Sequence, residues 1–261
     1  MSNDASAAFL GLLEEMTVDD VRAFNPEVVV VPLGSTEPHG PHLPLGTDTY
    51  QVTQLCRIGV KEANERDARA LLYPTLPITN NANARAFPFA LRVGVRTLMS
   101  MIMDIATQCW EDGIKKVVFV NGQGGNFGAL DAAMREISGK DNMPFACWTW
   151  NMIPDGFQDP IEHPSDHAGE SETSKMMWIR PDLVRTDKLD DNPFGKLRVP
   201  SLNQTNFVRP WHLYVPISAG GETRTSSSDK GESLTKSQAK GLAQLLVELS
   251  QVPYSERFPY E

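Results

Sequence analysis

Residues 28–33 read Val-Val-Val-Val-Pro-Leu, a run with no polar side chain. Four β-branched residues in succession are stiff at χ1 and favour extended backbone, and the run is too short for a buried helix. An apolar run that does not alternate is a strand covered on both faces, the habit of parallel sheets. Lys116–Val120 and Phe145–Trp150 read as further short strands, and Ala70–Pro77 holds another. Helical patterns separate them: Leu10–Met16, Val18–Phe24 behind the N-cap Thr17, Thr47–Asn64, Arg96–Glu111 closed by Gly113, Ala129–Ile137, Glu172–Ile179 and Ser233–Leu249. Alternating strands and helices predict an α/β fold with a mostly parallel sheet and helices on both faces. In such sheets ligands bind beyond the carboxyl ends of the strands, so the residues that follow each strand carry the interest.

Composition removes several classes of function. The chain of 261 residues carries a formal net charge of -9, and its longest basic feature is Lys115-Lys116, which argues against nucleic acid as a partner. No apolar run reaches the length of a membrane span. The N-terminus shows neither a basic region nor a long apolar one, so no secretory signal is read. Cys56, Cys109 and Cys147 are odd in number and widely spaced, which suits buried free thiols in a reducing compartment. The expectation is a cytoplasmic protein with a single domain over 1–261, interrupted by an irregular Pro- and Asn-rich excursion at about 190–214.

Three segments carry chemistry. The first strand runs into Gly34-Ser35-Thr36-Glu37-Pro38-His39-Gly40-Pro41-His42, and the loop continues to Asp48. Glu, His and Asp on a rigid loop are a ligand set for a divalent metal, whereas the plainer reading is a turn held by hydrogen bonds from His39 and His42. Asp166-His167-Ala168-Gly169-Glu170-Ser171-Glu172 precedes a helix. His167 suits a general acid or base and Glu170 or Glu172 a ligand or base, against the alternative that these residues only cap the helix. The third segment, Asn121-Gly122-Gln123-Gly124-Gly125-Asn126, matches no phosphate-binding pattern and reads as an anion cradle or as close backbone approach to a small substrate. Trp148, Trp150, Trp178 and Trp211 are candidate pocket walls.

Together these segments resemble the creatininase (creatinine amidohydrolase) family. Gly34 to Asp48 matches its Gly-Ser-x-Glu-x-His-Gly-Pro-His-Leu-Pro-Leu-x-Thr-Asp, His167 to Ser174 its His-Ala-Gly-x-x-Glu-Thr-Ser, and Asn121 to Asn126 its Asn-Gly-His-Gly-Gly-Asn. The resemblance implies a three-layer α/β/α sandwich and a hydrolase site holding one or two divalent ions, zinc, manganese or iron. It implies that Glu37 and His39 ligate metal, that Asp48 bridges two ions, that His167 is the acid/base, and that Glu172 binds metal directly or through water. It also implies a homo-oligomer, a hexamer in most members.

The chain departs from the family at telling places. Gln123 stands where the family has a ligating His, and Gly125 where members with creatininase activity carry a Glu. Asn81 and Ala84 replace a Ser and a His in a further motif. These losses argue against creatinine as the substrate. The reading is a metal-dependent hydrolase acting on a small polar molecule: a cyclic amide, a formamide or a cyclic keto-polyol. In it Gln123, Gly124, Gly125 and Asn81 contact substrate, Gln123 being also a candidate metal ligand, while His167, Glu170 and Glu172 serve catalysis. Metal binding is expected to weaken below about pH 6, where His39 takes a proton. The alternative is a metal-poor, non-catalytic descendant that binds a small polar ligand.

Overall fold

The computed structural model describes residues 11–163 and 167–260. Helix α1 (Val18–Phe24) opens with a capping box in which Thr17 Oγ1 accepts from Asp20 N while the Asp20 carboxylate accepts from Thr17 N. Strand β1 (Val28–Leu33) leads to α2 (Thr47–Asn64), β2 (Ala70–Leu72), α3 (Val95–Glu111), β3 (Lys116–Asn121), α4 (Phe127–Ser138) and β4 (Phe145–Thr149). Helix α5 (Glu170–Ile179) follows. The excursion carries β5 (Asp191–Asn192) and α6 (Trp211–Tyr214), and the described chain closes with β6 (Gly221–Glu222) and α7 (Ser228–Gln251).

The main sheet has the order β2-β1-β3-β4, and every pairing in it is parallel. Its two faces are filled by alternate residues of the same strands. Val28, Val30, Val118 and Val120 pack on Val52, Cys56 and Val60 of α2 and on Leu242 and Leu246 of α7. Val29, Val31, Val117 and Phe119 pack on Leu98, Ile102 and Cys109 of α3 and on Leu130 and Ala133 of α4. The molecule is therefore a three-layer α/β/α sandwich with a parallel central sheet. The missing alternation in Val28–Leu33 has its cause here, because both faces of that strand are core.

Lys116 is the largest fully buried side chain, and its Nζ donates to Leu249 O at 2.8 Å and Val252 O at 2.7 Å. It satisfies carbonyls at the C-terminal end of α7, where a cation also complements the helix dipole.

One local expectation is corrected. The helix read over Leu10–Met16 is only a 3-10 turn at Leu13–Glu15, because Gly11 adopts φ +69 and breaks the run; Leu10 lies outside the described residues. The excursion 190–214 carries only short elements. It pairs β5 antiparallel with β6 and delivers Trp211 to the sheet's carboxyl end.

No helix among the described residues is long and apolar enough to cross a membrane.

Candidate metal centre

The first loop leaves β1 at Gly34, where a side chain could not stand, since a Cβ would lie 2.7 Å from Thr49 Cα. That contact seats the N-terminus of α2 on the strand end and sets Asp48 in the helix's first turn, where the dipole favours an anion. Glu37, His39 and Asp48 are all buried. His39 Nδ1 lies 2.9 Å from Glu37 O, and because a carbonyl can only accept, Nδ1 carries the proton. Nε2 is then the basic nitrogen. It faces Asp48 Oδ1 at 3.1 Å and Glu172 Oε2 at 3.7 Å.

A lone pair aimed at two carboxylates is held together only by a proton or a cation between them. With a proton in that place the imidazolium is stabilised. Burial pulls its pKa down most strongly of any single cause, but the carboxylates of Asp48, Glu172 and Glu37 together outweigh it, and the value rises to about 10. Glu37 is pushed up to about 8, first by burial and then by the charge of Asp48, while Glu172 is raised by burial and by Asp48. Asp48 Oδ2 is buried and has no hydrogen-bond partner. A buried cluster of acceptors with an orphaned carboxylate oxygen fits a divalent ion.

The donor atoms fall into two triads that share His39. Ligand atoms of His39, Asp48 and Glu172 lie within 4.8 Å of one another, and so do those of Glu37, His39 and His167. The sequence grouped Glu37, His39 and Asp48 around one ion. In the structure Asp48 clusters with Glu172, and Glu37 with His167, His39 being common to both.

His167 is buried beneath Trp211, ring centroids 3.8 Å apart, and beside His39 at 4.4 Å. Its Nε2 donates to Pro38 O at 2.8 Å, which leaves Nδ1 as the basic nitrogen. Burial, reinforced by His39, holds its pKa well below the usual imidazole value. Ala168 next to it has φ +51, a strained value for a residue with a Cβ, and its N–H donates to Glu172 Oε2 at 2.7 Å. Glu172 thus ties down the backbone that enters α5 and faces His39 with the same carboxylate. His42 takes the plainer role. Its Nε2 contacts Thr173 Oγ1 at 3.0 Å, and burial keeps it neutral with a pKa of about 4.

Other expected site residues are placed elsewhere. Glu170 does not join the cluster. Lys230 Nζ reaches its Oε1 at 2.6 Å, and the backbone N–H groups of Glu162 and His163 reach its Oε2 at 3.0 and 2.7 Å. Both oxygens serve the fold, which removes Glu170 from the acid/base role. Asp166 lies outside the described residues. Asn81 spends its NH2 on Ser35 Oγ and Leu91 O, at 3.2 and 3.0 Å, and only its Oδ1 has no partner. Gly125 packs so close to Asn80 that a Cβ would meet Asn80 O at 2.2 Å, so its missing side chain answers a fold contact and leaves no room for Glu. Gly124 lies against the Trp150 indole, a Cβ there being 3.5 Å from the ring. Gln123 points its Nε2 at Glu37, 3.3 and 3.2 Å from the carboxylate oxygens, and its Oε1 is buried without a partner. The amide therefore meets Glu37 as a donor, an orientation opposite to that of a metal ligand.

Sequence reasoning missed Ser218, whose Oγ donates to Pro38 O at 2.8 Å and lies 3.4 Å from His167 Nε2. A lone serine far along the chain carries no signal for such a contact.

Comparison with known proteins agrees with this geometry. A family profile described as "Creatininase: Creatinine amidohydrolase" matches residues 14–246. The chain is 31% identical over 214 residues to the mycofactocin precursor peptide peptidase of Mycobacterium ulcerans (strain Agy99), covering 78% of each chain. It superposes on a putative creatinine amidohydrolase from Bacteroides fragilis with a TM-score of 0.83 at 26% identity, covering 94% of this chain and 98% of that one. It shares its fold with a manganese form of creatininase, TM-score 0.67 at 24% identity, covering 91% of this chain and 98% of that one. A buried Glu-His-Asp loop on the first strand, answered by His167 and Glu172 from α5's approach, therefore has its place: the chain belongs to the creatininase family.

Proposed function

We propose that this protein is a metal-dependent hydrolase that cleaves a C–N bond in a small peptide-like amide. The observation that carries it is the basic Nε2 of His39 held between the carboxylates of Asp48 and Glu172. A zinc, manganese or iron ion held by His39, Asp48 and Glu172, with Glu37 beside them, would supply Lewis acidity and a water acidified toward a pKa of about 7. His167 is neutral at pH 7, so its Nδ1 can take a proton from the attacking water and return it to the leaving nitrogen. Trp211 on its ring keeps bulk water from that proton. Glu172 is oriented by the Ala168 N–H. An amide is favoured over a keto-polyol for two reasons. The relative from Mycobacterium ulcerans is named for a peptide, and the NH2 groups of Asn80 and Asn81, which could bind polyol hydroxyls, are spent on backbone carbonyls of the fold.

Gln123 carries the test of the metal count. Because its NH2 engages Glu37, the position that its relatives fill with an imidazole ligand is taken by a donor, and a single ion per chain is expected. Elemental analysis of protein purified without chelators should find about one divalent ion per chain, rising toward two in Gln123→His. Hydrolysis of the native substrate should weaken in that variant. No divalent ion in the wild type would sink the hydrolase reading. An unchanged count in the variant would show Gln123 to be structural only.

We propose also that the protein is a cytoplasmic homo-oligomer, a hexamer by analogy with its family. The excursion presents Val208 and Leu213 to solvent, 70% and 65% exposed. A sedimentation coefficient of a 28.9 kDa monomer at micromolar concentration would refute this. Trp211 of the excursion packs on His167 of its own chain.

A further inference from the structure

A cavity of about 170 Å³ opens beside the metal cluster, between α2, α5, α7 and the carboxyl ends of β3 and β4. His167 and Glu172 line it, as do Lys175, Asn151, Gln238 and Trp150, beside apolar residues such as Leu55. Two features of it are unexplained by the hydrolytic chemistry.

The first is Lys175, one turn beyond Glu172 on α5. Among the described residues its ammonium makes no hydrogen bond and no ion pair, and the carboxylates whose fields reach it are Glu172, Asp159 and Asp48. Two of those three belong to the metal cluster. Once their charge is spent on a divalent ion, Lys175 is the cation left facing the cavity. Burial already works against its charge, lowering its pKa from the usual ammonium value. A half-buried cation without a hydrogen-bonded partner is costly to keep out of water.

The second is Gln238, 3% exposed, on α7. Its Nε2 donates to Asn151 Oδ1 at 2.8 Å, which fixes the amide's orientation, and its Oε1 is buried without a donor. Asn151 itself sits at φ +53, so the backbone of the β4 exit is strained into the position that holds Gln238. Buried amide oxygens are almost always satisfied, and this one borders an open cavity.

An acceptor that needs an N–H and a cation that needs an anion are complementary to an amino-acid residue with a free carboxylate. We infer that this cavity is a carboxylate-recognition subsite, in which Lys175 binds the terminal carboxylate of the substrate and Gln238 Oε1 accepts from its N–H. This deepens the hydrolase reading and rests on it for the orientation of the substrate: the scissile bond lies at His167 and Glu172, and the carboxylate-bearing part extends toward α7. Lys175 and Gln238 would set specificity for an acidic end over a neutral one.

The test is calorimetric titration of the metal-loaded protein at pH 7.5 with N-acetylglycine and with its neutral counterpart N-acetylglycinamide. The acid is expected to bind at least tenfold more tightly. In Lys175→Met, at unchanged metal content, the two should bind alike, and Lys175→Arg should restore the preference. Inorganic phosphate, which brings charge without an N–H, should bind more weakly than N-acetylglycine. Equal binding of acid and amide to the wild type overturns the inference even if the methionine variant does not fold. A preference that survives Lys175→Met places the carboxylate on the metal instead and also overturns it. Phosphate binding as tight as that of N-acetylglycine rejects the amino-acid assignment. The readout is heat of binding rather than turnover, so a missing acid preference leaves the metal count and the hydrolysis standing, and a missing metal is seen separately by elemental analysis.

Discussion

Asp48→Ala should leave a folded protein that holds no stoichiometric metal and has lost at least about a thousandfold in hydrolysis, the scale on which removing a core element of an electrostatic catalytic site acts. Asp48 is the anion closest to the basic nitrogen of His39, and its second oxygen has no competing partner. Removing it takes away a ligand and also the charge that holds Glu37 and His39 in their shifted states. The fold should survive, because the Asp48 carboxylate contacts only the cluster, while α2 is anchored by Val52, Cys56 and Val60 on the sheet. Asp48→Asn keeps the shape and should fail nearly as badly, which would assign the effect to charge. Full metal content in Asp48→Ala by elemental analysis would show that the cluster is not the metal centre.

The metal-free protein should lose stability as pH rises from about 6.5 to about 9. The carboxyl of Glu37 and the imidazole of His39 have folded-state values of about 8 and about 10, both above their ordinary ones, and Glu172 is raised as well. The folded state therefore binds more protons than the unfolded chain, and the stability these groups contribute is lost as they deprotonate. His42 and His167 are shifted down and act in the opposite sense, but their effect is confined to pH values below about 6.5. The buried thiols act only above about pH 9. Burial lowers the ammonium pKa of Lys116 and Lys175, which act in the opposite sense on the alkaline side, so the fall across the window is the excess of Glu37, His39 and Glu172 over these two lysines. Thermal melts of chelator-treated protein should fall by several degrees across it, at roughly 2–4 °C per kcal/mol for a chain of this size. Saturating manganese should flatten the slope, because a cation replaces the shared protons. A melting temperature that is level or rising over this range would refute the proton-sharing account. The same competition moves the pH dependence of metal uptake upward from the pH 6 expected of an ordinary histidine, since His39 keeps its proton to about 10.

Much of this was legible in the sequence because it is local. Val28–Leu33 announced a strand with two covered faces, and the helix over Thr47–Asn64 has the bounds its pattern implied. The ligand types Glu37, His39 and Asp48 lie within a dozen positions on one rigid loop, so backbone geometry alone brings them near each other. Membership of the creatininase family followed from the same loop together with the segment from His167 to Ser174.

What the chain could not disclose is the set of choices made between segments distant in sequence. Whether a carboxylate ligates or braces depends on which partner reaches it first. Glu170 and Glu172 are two residues apart on one helix, yet Lys230 from α7 claims the former and the imidazole of His39 faces the latter. A helix turns about 100° per residue, so neighbours two apart face different layers, and only packing decides which of them faces the His39 cluster. Gln123 is likewise ambiguous until Glu37 fixes the direction of its amide, and Gly125 until the Asn80 carbonyl arrives against it. Trp211 and Ser218 reach His167 across more than forty residues of chain, and beyond α5 that stretch is irregular. Sequence patterns encode which face of an element is apolar. The identity of the polar atom that each buried donor or acceptor meets is set by tertiary contact, because hydrogen bonds and charges act over a few ångströms and are blind to separation along the chain.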